Sequence, residues 1–157
     1  TFKGVRRRFS FQIRTEKLVY IDDYAHHPTE IKATIATARL AASDSGSVGR
    51  VIAIFQPHRY SRTLAFSQEF ADALSLADQV VVLDIYGAGE EPIPGASSAV
   101  IADAINAQGG TALFEPNLMR AIDVAIAHAQ SGDLILTLGA GDVTSLGPQI
   151  ISAINER

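Results

Sequence analysis

Apolar positions along this chain follow two alternating rhythms. Short β-branched runs at Lys17 to Ile21, Val51 to Phe55, Gln79 to Asp84, Thr111 to Phe114 and Asp133 to Leu138 are almost continuously apolar, as in strands covered on both faces. Between them apolar residues stand three or four apart: Ile31, Ile35, Ala38 and Ala42; Phe66, Phe70 and Leu74; Ile101 and Ile105; Leu118, Ile122 and Ile126. That spacing predicts helices, each laying one stripe on a sheet. The punctuation agrees, since Pro28 suits a first helical turn, Asn117 an N-cap, and Gly132 a stop for the fourth helix after Ser131. Strand and helix in alternation require parallel pairing with right-handed crossovers. The expected class is therefore α/β, a Rossmann-like, doubly wound, mostly parallel sheet of about six strands. Its first strand is Phe9 to Arg14, whose alternating pattern before Thr15-Glu16 predicts an antiparallel hairpin at the N-terminal edge.

Composition narrows the chemistry. At 157 residues, 47% hydrophobic and 19% charged, the chain has the size and balance of one domain with its own core and shows no internal repeat. A formal charge of -4 gives no overall electrostatic footprint for nucleic acid or an anionic membrane, and unbroken apolar runs such as Val80 to Leu83 fall far short of a membrane span. The opening TFKGVRRRFSF leads into no apolar stretch, so no secretory leader is expected. The absence of cysteine excludes disulfides, thiolate metal sites and cysteine nucleophiles, and fits a reducing, cytoplasmic compartment. Lys3, Lys17 and Lys32 are the only lysines, and none stands in a Gly-x-x-x-x-Gly-Lys-Ser/Thr phosphate loop. Beyond residue 32 every cationic side chain that is permanently charged is an arginine.

In a doubly wound sheet, ligands bind beyond the carboxyl ends of the strands. The loop after Ile21, Asp22-Asp23-Tyr24-Ala25-His26-His27-Pro28-Thr29-Glu30, concentrates two carboxylates, a phenol and two imidazoles at a helix entry. Either these groups face the crevice, or the aspartates accept backbone N–H groups and a histidine caps the helix. A zinc site from Asp22, His26, His27 and His58 is the weaker alternative, because adjacent histidines diverge and no His-x-x-x-His pair exists; no metal site is assigned. The loop after Phe55 carries Gln56-Pro57-His58-Arg59-Tyr60-Ser61-Arg62-Thr63. If it opens a helix, Arg59 and Arg62 share a face beside a positive helix end, a setting for a carboxylate or phosphate, unless they are simply a solvated pair. Ile85 to Gly95, with two prolines, reads as a semi-rigid flap or an ordinary surface loop. Gly139-Ala140-Gly141-Asp142 is no dinucleotide fingerprint, because Thr144 stands where the third glycine belongs and too little chain follows for the ribose-binding acid. Its glycines are expected to let backbone approach a ligand or a neighbouring loop.

Together, DDYAHHPTEI, FQPHRYSRT, YGAGEEPIPG and TLGAGD closely resemble, in this order and on these loops, the C-terminal domain of the Mur ligases, in the branch that adds L-alanine to a UDP-sugar. The first two motifs are highly specific and the last two supportive, and the resemblance runs from about Phe2 to the last helix. It implies that residues 1–15 are the hinge and first strand arriving from a central domain, with the hinge at Gly4 to Phe9, and that residues 16–157 form the domain that closes over ATP and amino acid. The UDP-sugar domain and the central domain with phosphate loop and Mg2+ ligands then lie outside this chain. The implied reaction is ATP-dependent: the carboxylate of UDP-N-acetylmuramate is phosphorylated, the amine of L-alanine attacks the acyl phosphate, and phosphate leaves. By the same resemblance Arg8, Asp22 and Asp23 would meet ATP, while Tyr24, His26, His58, Arg59 and Arg62 would line the L-alanine site. Two alternatives stay open: the related ligase that recycles a tripeptide onto the same UDP-sugar, in which PHRYSRT is not expected, and a non-catalytic nucleotide-binding module on a Rossmann-like scaffold.

Overall fold

The apolar runs become strands and the three-and-four spacings become helices in a computed structural model, which describes residues 9–15, 18–44 and 49–156. The strands are β1 (Ser10–Arg14), β2 (Leu18–Asp23), β3 (Val51–Phe55), β4 (Gln79–Val82), β5 (Ala112–Phe114) and β6 (Asp133–Leu138). The helices are α1 (Pro28–Asp44), α2 (Tyr60–Ala65), α3 (Ser67–Leu74), α4 (Ser98–Ala107), α5 (Leu118–His128) and α6 (Gly147–Asn155), the last preceded by a 3-10 turn, Asp142–Leu146. They form one sheet in the order β1-β2-β6-β3-β4-β5. β1 runs antiparallel to β2 at the edge, and every other pairing is parallel, as expected for a doubly wound α/β sheet.

Period-2 alternation divides the core into two layers. Ile21, Val51, Ala53, Phe55, Val80, Val82, Leu134, Leu136 and Leu138 face α1, α3 and α4, whereas Leu18, Tyr20, Ile52, Ile54, Val81, Leu83 and Ile135 face α5, the 3-10 turn and α6. The α1 stripe of Ile31, Ile35, Ala38 and Ala42 is buried throughout. At the amino end of the sheet, buried Asp133 ties β3 to β6 by accepting from the Arg50 N–H at 3.0 Å, the Arg50 guanidinium at 2.9 Å and the Gln130 N–H at 2.7 Å.

Some boundaries differ from the sequence expectation. Helix α5 ends at His128 rather than Ser131, because Ala129 turns to an extended backbone and the next amide is taken by the Asp133 carboxylate; Gly132, with φ 93°, serves the turn into β6. The Phe66, Phe70, Leu74 stripe is not one helix. Phe66 breaks it between α2 and α3 with φ -121° and ψ 23°, which leaves its ring 41% exposed while Phe70 and Leu74 are buried. Strand β4 stops at Val82, two residues short of Asp84. Strand β2 instead runs two residues further, through Asp22 and Asp23. Lys17, Glu16, Arg8 and the hinge residues before Phe9 lie outside the described residues.

Candidate functional site

Because Asp22 and Asp23 close a strand rather than open a loop, they leave the sheet on opposite faces. Asp22 accepts the Thr137 hydroxyl at 2.6 Å, and Thr137 in turn meets the buried Tyr20 hydroxyl at 3.2 Å, a polar chain within the α5/α6 layer. Asp23, only 7% exposed, lies on the α1 side and accepts the Phe9 N–H at 2.6 Å and the Ala25 N–H at 2.7 Å. Burial pushes its carboxyl up, with a further push from Asp22, against the lowering by those two N–H groups. The pair therefore does not point jointly into the crevice. Asp23 meets both expectations for this loop, since it accepts backbone N–H bonds and also lines a cleft with Tyr24. No histidine side chain caps α1; Glu30 reaches back to the His27 N–H at 3.1 Å and the His26 N–H at 3.3 Å, the third helical residue satisfying the amide before the helix.

Tyr24, His26 and His58 do converge. Tyr24 and His26 meet edge to face at 5.0 Å, His26 and His58 at 5.6 Å, and His58 lies against Tyr86 at 5.7 Å. Arg62 approaches the same imidazole, with its guanidinium nitrogen 3.4 Å from His58 Nδ1, which accepts in the neutral tautomer that carries its proton on Nε2. Partial burial, then the charges of His26, Arg62 and Arg59, push the His58 pKa down, with Glu90 opposing; His58 is thus neutral near pH 7. Beside this wall opens a cleft of about 230 Å³ lined by Asp23, Tyr24, Ala25, Glu30, Ala33 and Thr34. Among the described residues, no group of three or more His, Cys, Asp or Glu side chains is arranged to hold a metal ion.

The helix expected to start near Arg59 starts at Tyr60, and its first turn is already taken. Ser61 donates its N–H at 3.0 Å and its hydroxyl at 2.5 Å to the two oxygens of Glu90. An anion does sit at the start of α2, but it is the chain's own. Any ligand carboxylate is left to the guanidinium groups, of which Arg59 is exposed and Arg62 half-buried. Sequence reasoning missed Glu90 and Tyr86 because glycine and proline set the character of Ile85 to Gly95; the available signal was the Glu90-Glu91 pair in a loop that follows two arginines. Gly139 and Gly141 serve close approach between neighbouring loops. A Cβ on Gly141 would lie 2.4 Å from the root of the Tyr86 ring and 2.8 Å from Gln56 Oε1, which itself accepts the Val143 N–H at 2.9 Å.

A doubly wound domain that gathers imidazoles and guanidiniums at the carboxyl edge of its sheet holds them where folds of this class bind their ligands. Residues 7–141 match the family described as Mur ligase, glutamate ligase domain, and the chain belongs to that family. It is 49% identical over 153 residues to a UDP-N-acetylmuramate--L-alanine ligase of Saccharopolyspora erythraea, covering 98% of this chain and 30% of that protein. Against the ligase of the same name from Mycobacterium avium the identity is 47%, over 99% of this chain and 32% of the relative. The crystal structure of UDP-N-acetylmuramate-alanine ligase MurC from Thermotoga maritima superposes with a TM-score of 0.76 at 29% identity, covering 96% of this chain and 30% of that one. A murein peptide ligase of Psychrobacter arcticus gives a TM-score of 0.75 at 23% identity, over 97% and 30% of the two chains, a likeness of fold. This chain thus spans about 30% of the length of the relatives it matches.

Proposed function

We propose that this chain is the C-terminal, amino-acid-receiving domain of an ATP-dependent ligase that joins L-alanine to UDP-N-acetylmuramate through an acyl phosphate, working in the cytoplasm on peptidoglycan precursors. The observation that carries the reading is the cluster of Tyr24, His26, His58 and Arg62 at the carboxyl edge of the sheet, in which the histidine loop shared with the tripeptide-recycling ligase meets the PHRYSRT segment not expected there. Supporting it, the relatives at 46–49% identity over nearly the whole chain bear the L-alanine ligase name. Residues 1–15 would be the hinge and first strand that join this domain, residues 16–157, to a central one. Arg8, Asp22 and Asp23 are assigned to the ATP side. With Asp23 bonded to backbone and Asp22 to Thr137, their part is to shape the nucleotide wall and to present the oxygen lone pairs left over.

In this reading Arg59 and Arg62 grip the alanine carboxylate, since a guanidinium matches a carboxylate with two parallel hydrogen bonds. Their charge beside the bound amino acid also disfavours its ammonium form, and the neutral amine is the nucleophile. His58, held neutral, adds a polar wall without another charge. Closure over the other domains excludes water until the amine arrives, which keeps an acyl phosphate from hydrolysis. The reading leaves Mg2+ to the central domain, and no step on this chain is assigned to the ion. The direct test adds this domain to separately made N-terminal and central domains and measures ADP release that requires UDP-N-acetylmuramate, ATP and L-alanine. Arg59→Lys should then raise the KM for L-alanine about 10- to 100-fold, the equivalent of one charge-assisted hydrogen bond of about 1.5–3 kcal/mol, with the KM for ATP little changed. An unchanged alanine dependence, with the protein folded, removes Arg59 from the site.

A further inference from the structure

Arg59 occupies a backbone conformation that it cannot hold unaided. Its φ of 74° and ψ of 137° lie where residues other than glycine are strained by roughly 1–3 kcal/mol, and such strain persists only when the surroundings over-determine it. The restraints come from two sides. Within its own segment, the Thr63 hydroxyl and N–H donate to the Arg59 carbonyl at 2.8 and 3.2 Å, and Thr63 is completely buried. From the 85–95 loop, the Tyr86 carbonyl accepts the Arg59 N–H at 2.8 Å, the Tyr86 N–H donates to the Pro57 carbonyl at 2.9 Å, and Glu90 takes both donors of Ser61. The loop reaches this position through a tight turn in which Ala88 and Gly89 both have positive φ, 52° and 88°, and the Glu90 N–H returns to the Gly87 carbonyl at 3.0 Å, a type I′ turn. Gly87 permits the docking, because a Cβ there would lie 2.9 Å from the Tyr60 ring.

We propose that Glu90 is a positioning residue for Arg59: its carboxylate latches the Gly87–Glu90 turn onto Ser61, holds the Arg59 backbone in its left-handed form, and so aims the guanidinium at the amino-acid carboxylate. The inference rests on the alanine-binding reading above and adds to it a loop that reading leaves without a role. Glu90 touches no substrate. It acts through Ser61 and the backbone of residues 57–59. Its carboxyl is held below the ordinary carboxylate range by the Ser61 hydroxyl and N–H, so the latch stays charged throughout the neutral range, with Arg59 beside it adding in the same direction.

The test has two arms. In the ligase carrying this domain, Glu90→Ala should raise the KM for L-alanine about 10-fold or more, as misplacing a binding group by a fraction of an ångström does, with the KM values for ATP and the UDP-sugar within about 2-fold of wild type. Glu90→Gln, which keeps an acceptor for one Ser61 donor, should fall between the two. Ser61→Ala and Glu90→Ala together should cost no more than Glu90→Ala alone, because both break one contact. On this chain by itself, amide exchange followed by NMR should show faster exchange at Ser61 and Arg59 in Glu90→Ala, with the amides of β3 and β6 unchanged. Equal loss in all three KM values, full activity at wild-type alanine KM, or unaltered exchange at Ser61 and Arg59 overturns the latch. A wild-type ligase that ignores L-alanine while Glu90→Ala still frees those amides overturns the substrate reading instead.

Discussion

Adding one methyl group at Gly141 should loosen the wall on which His58 rests. The Cβ of Gly141→Ala would stand 2.4 and 2.5 Å from Cγ and Cδ1 of Tyr86 and 2.8 Å from Gln56 Oε1, distances that ordinary packing does not allow. Cγ is the root of the ring, so a ring flip gives no relief. The Tyr86 backbone is fixed on both sides by its bonds to Arg59 and Pro57, and Gln56 is fixed by Val143. Either the ring leaves His58 or the 139–143 backbone shifts. Overpacking of this kind costs about 1–3 kcal/mol. For a chain of 157 residues each kcal/mol lowers Tm by about 2–4 °C, so a fall of about 2–12 °C is expected in thermal unfolding followed by circular dichroism. The double variant Gly141→Ala, Tyr86→Ala isolates the cause. Removing the ring opens the space that the methyl needs, so the two losses should fall short of additivity by about 1 kcal/mol or more. A Gly141→Ala protein within 1 °C of wild type, or strictly additive losses, would refute the close approach.

Asp133→Ala should destabilise the chain by about 3 kcal/mol, near the low end for breaking a buried ion pair because the Arg50 side chain is one-third exposed, and Asp133→Asn should cost less; urea unfolding of both reads the difference. For Asp23 the folded-state pKa lies above the unfolded 3.8, so the native state binds the proton more tightly and ionisation weakens the fold. The stability of wild type relative to Asp23→Asn should therefore be greatest near and below pH 3.8 and fall as pH rises through the folded pKa toward neutrality. Urea midpoints at a series of pH values test this, and a difference that grows with pH contradicts the burial that causes it.

The division between what sequence and tertiary structure determine is clearest at β2. Local chemistry fixed the strand and helix alternation, the buried α1 stripe, the Asn117 cap and the antiparallel edge hairpin, because hydrophobic period and capping are properties of contiguous residues. Local chemistry marked the loops after β2 and β3 separately, and it was the resemblance to the Mur ligases that joined Tyr24, His26, His58, Arg59 and Arg62 as one constellation at the carboxyl edge of the sheet. The two residues by which β2 outruns its apolar pattern were not legible: Asp22 and Asp23 are polar, and pairing with Thr137 and Leu138 of β6, and of Asp22 with Ser10 of β1, keeps them extended and sends them to opposite faces. Glu90 was silent for the same reason. A carboxylate 29 residues from Ser61 gives no local sign of its partner, and its role exists only because the β3 and β4 loops are brought side by side by parallel pairing of their strands. Sequence determines what a segment can bury or cap within a few residues of itself, whereas contacts between loops depend on the sheet that assembles them.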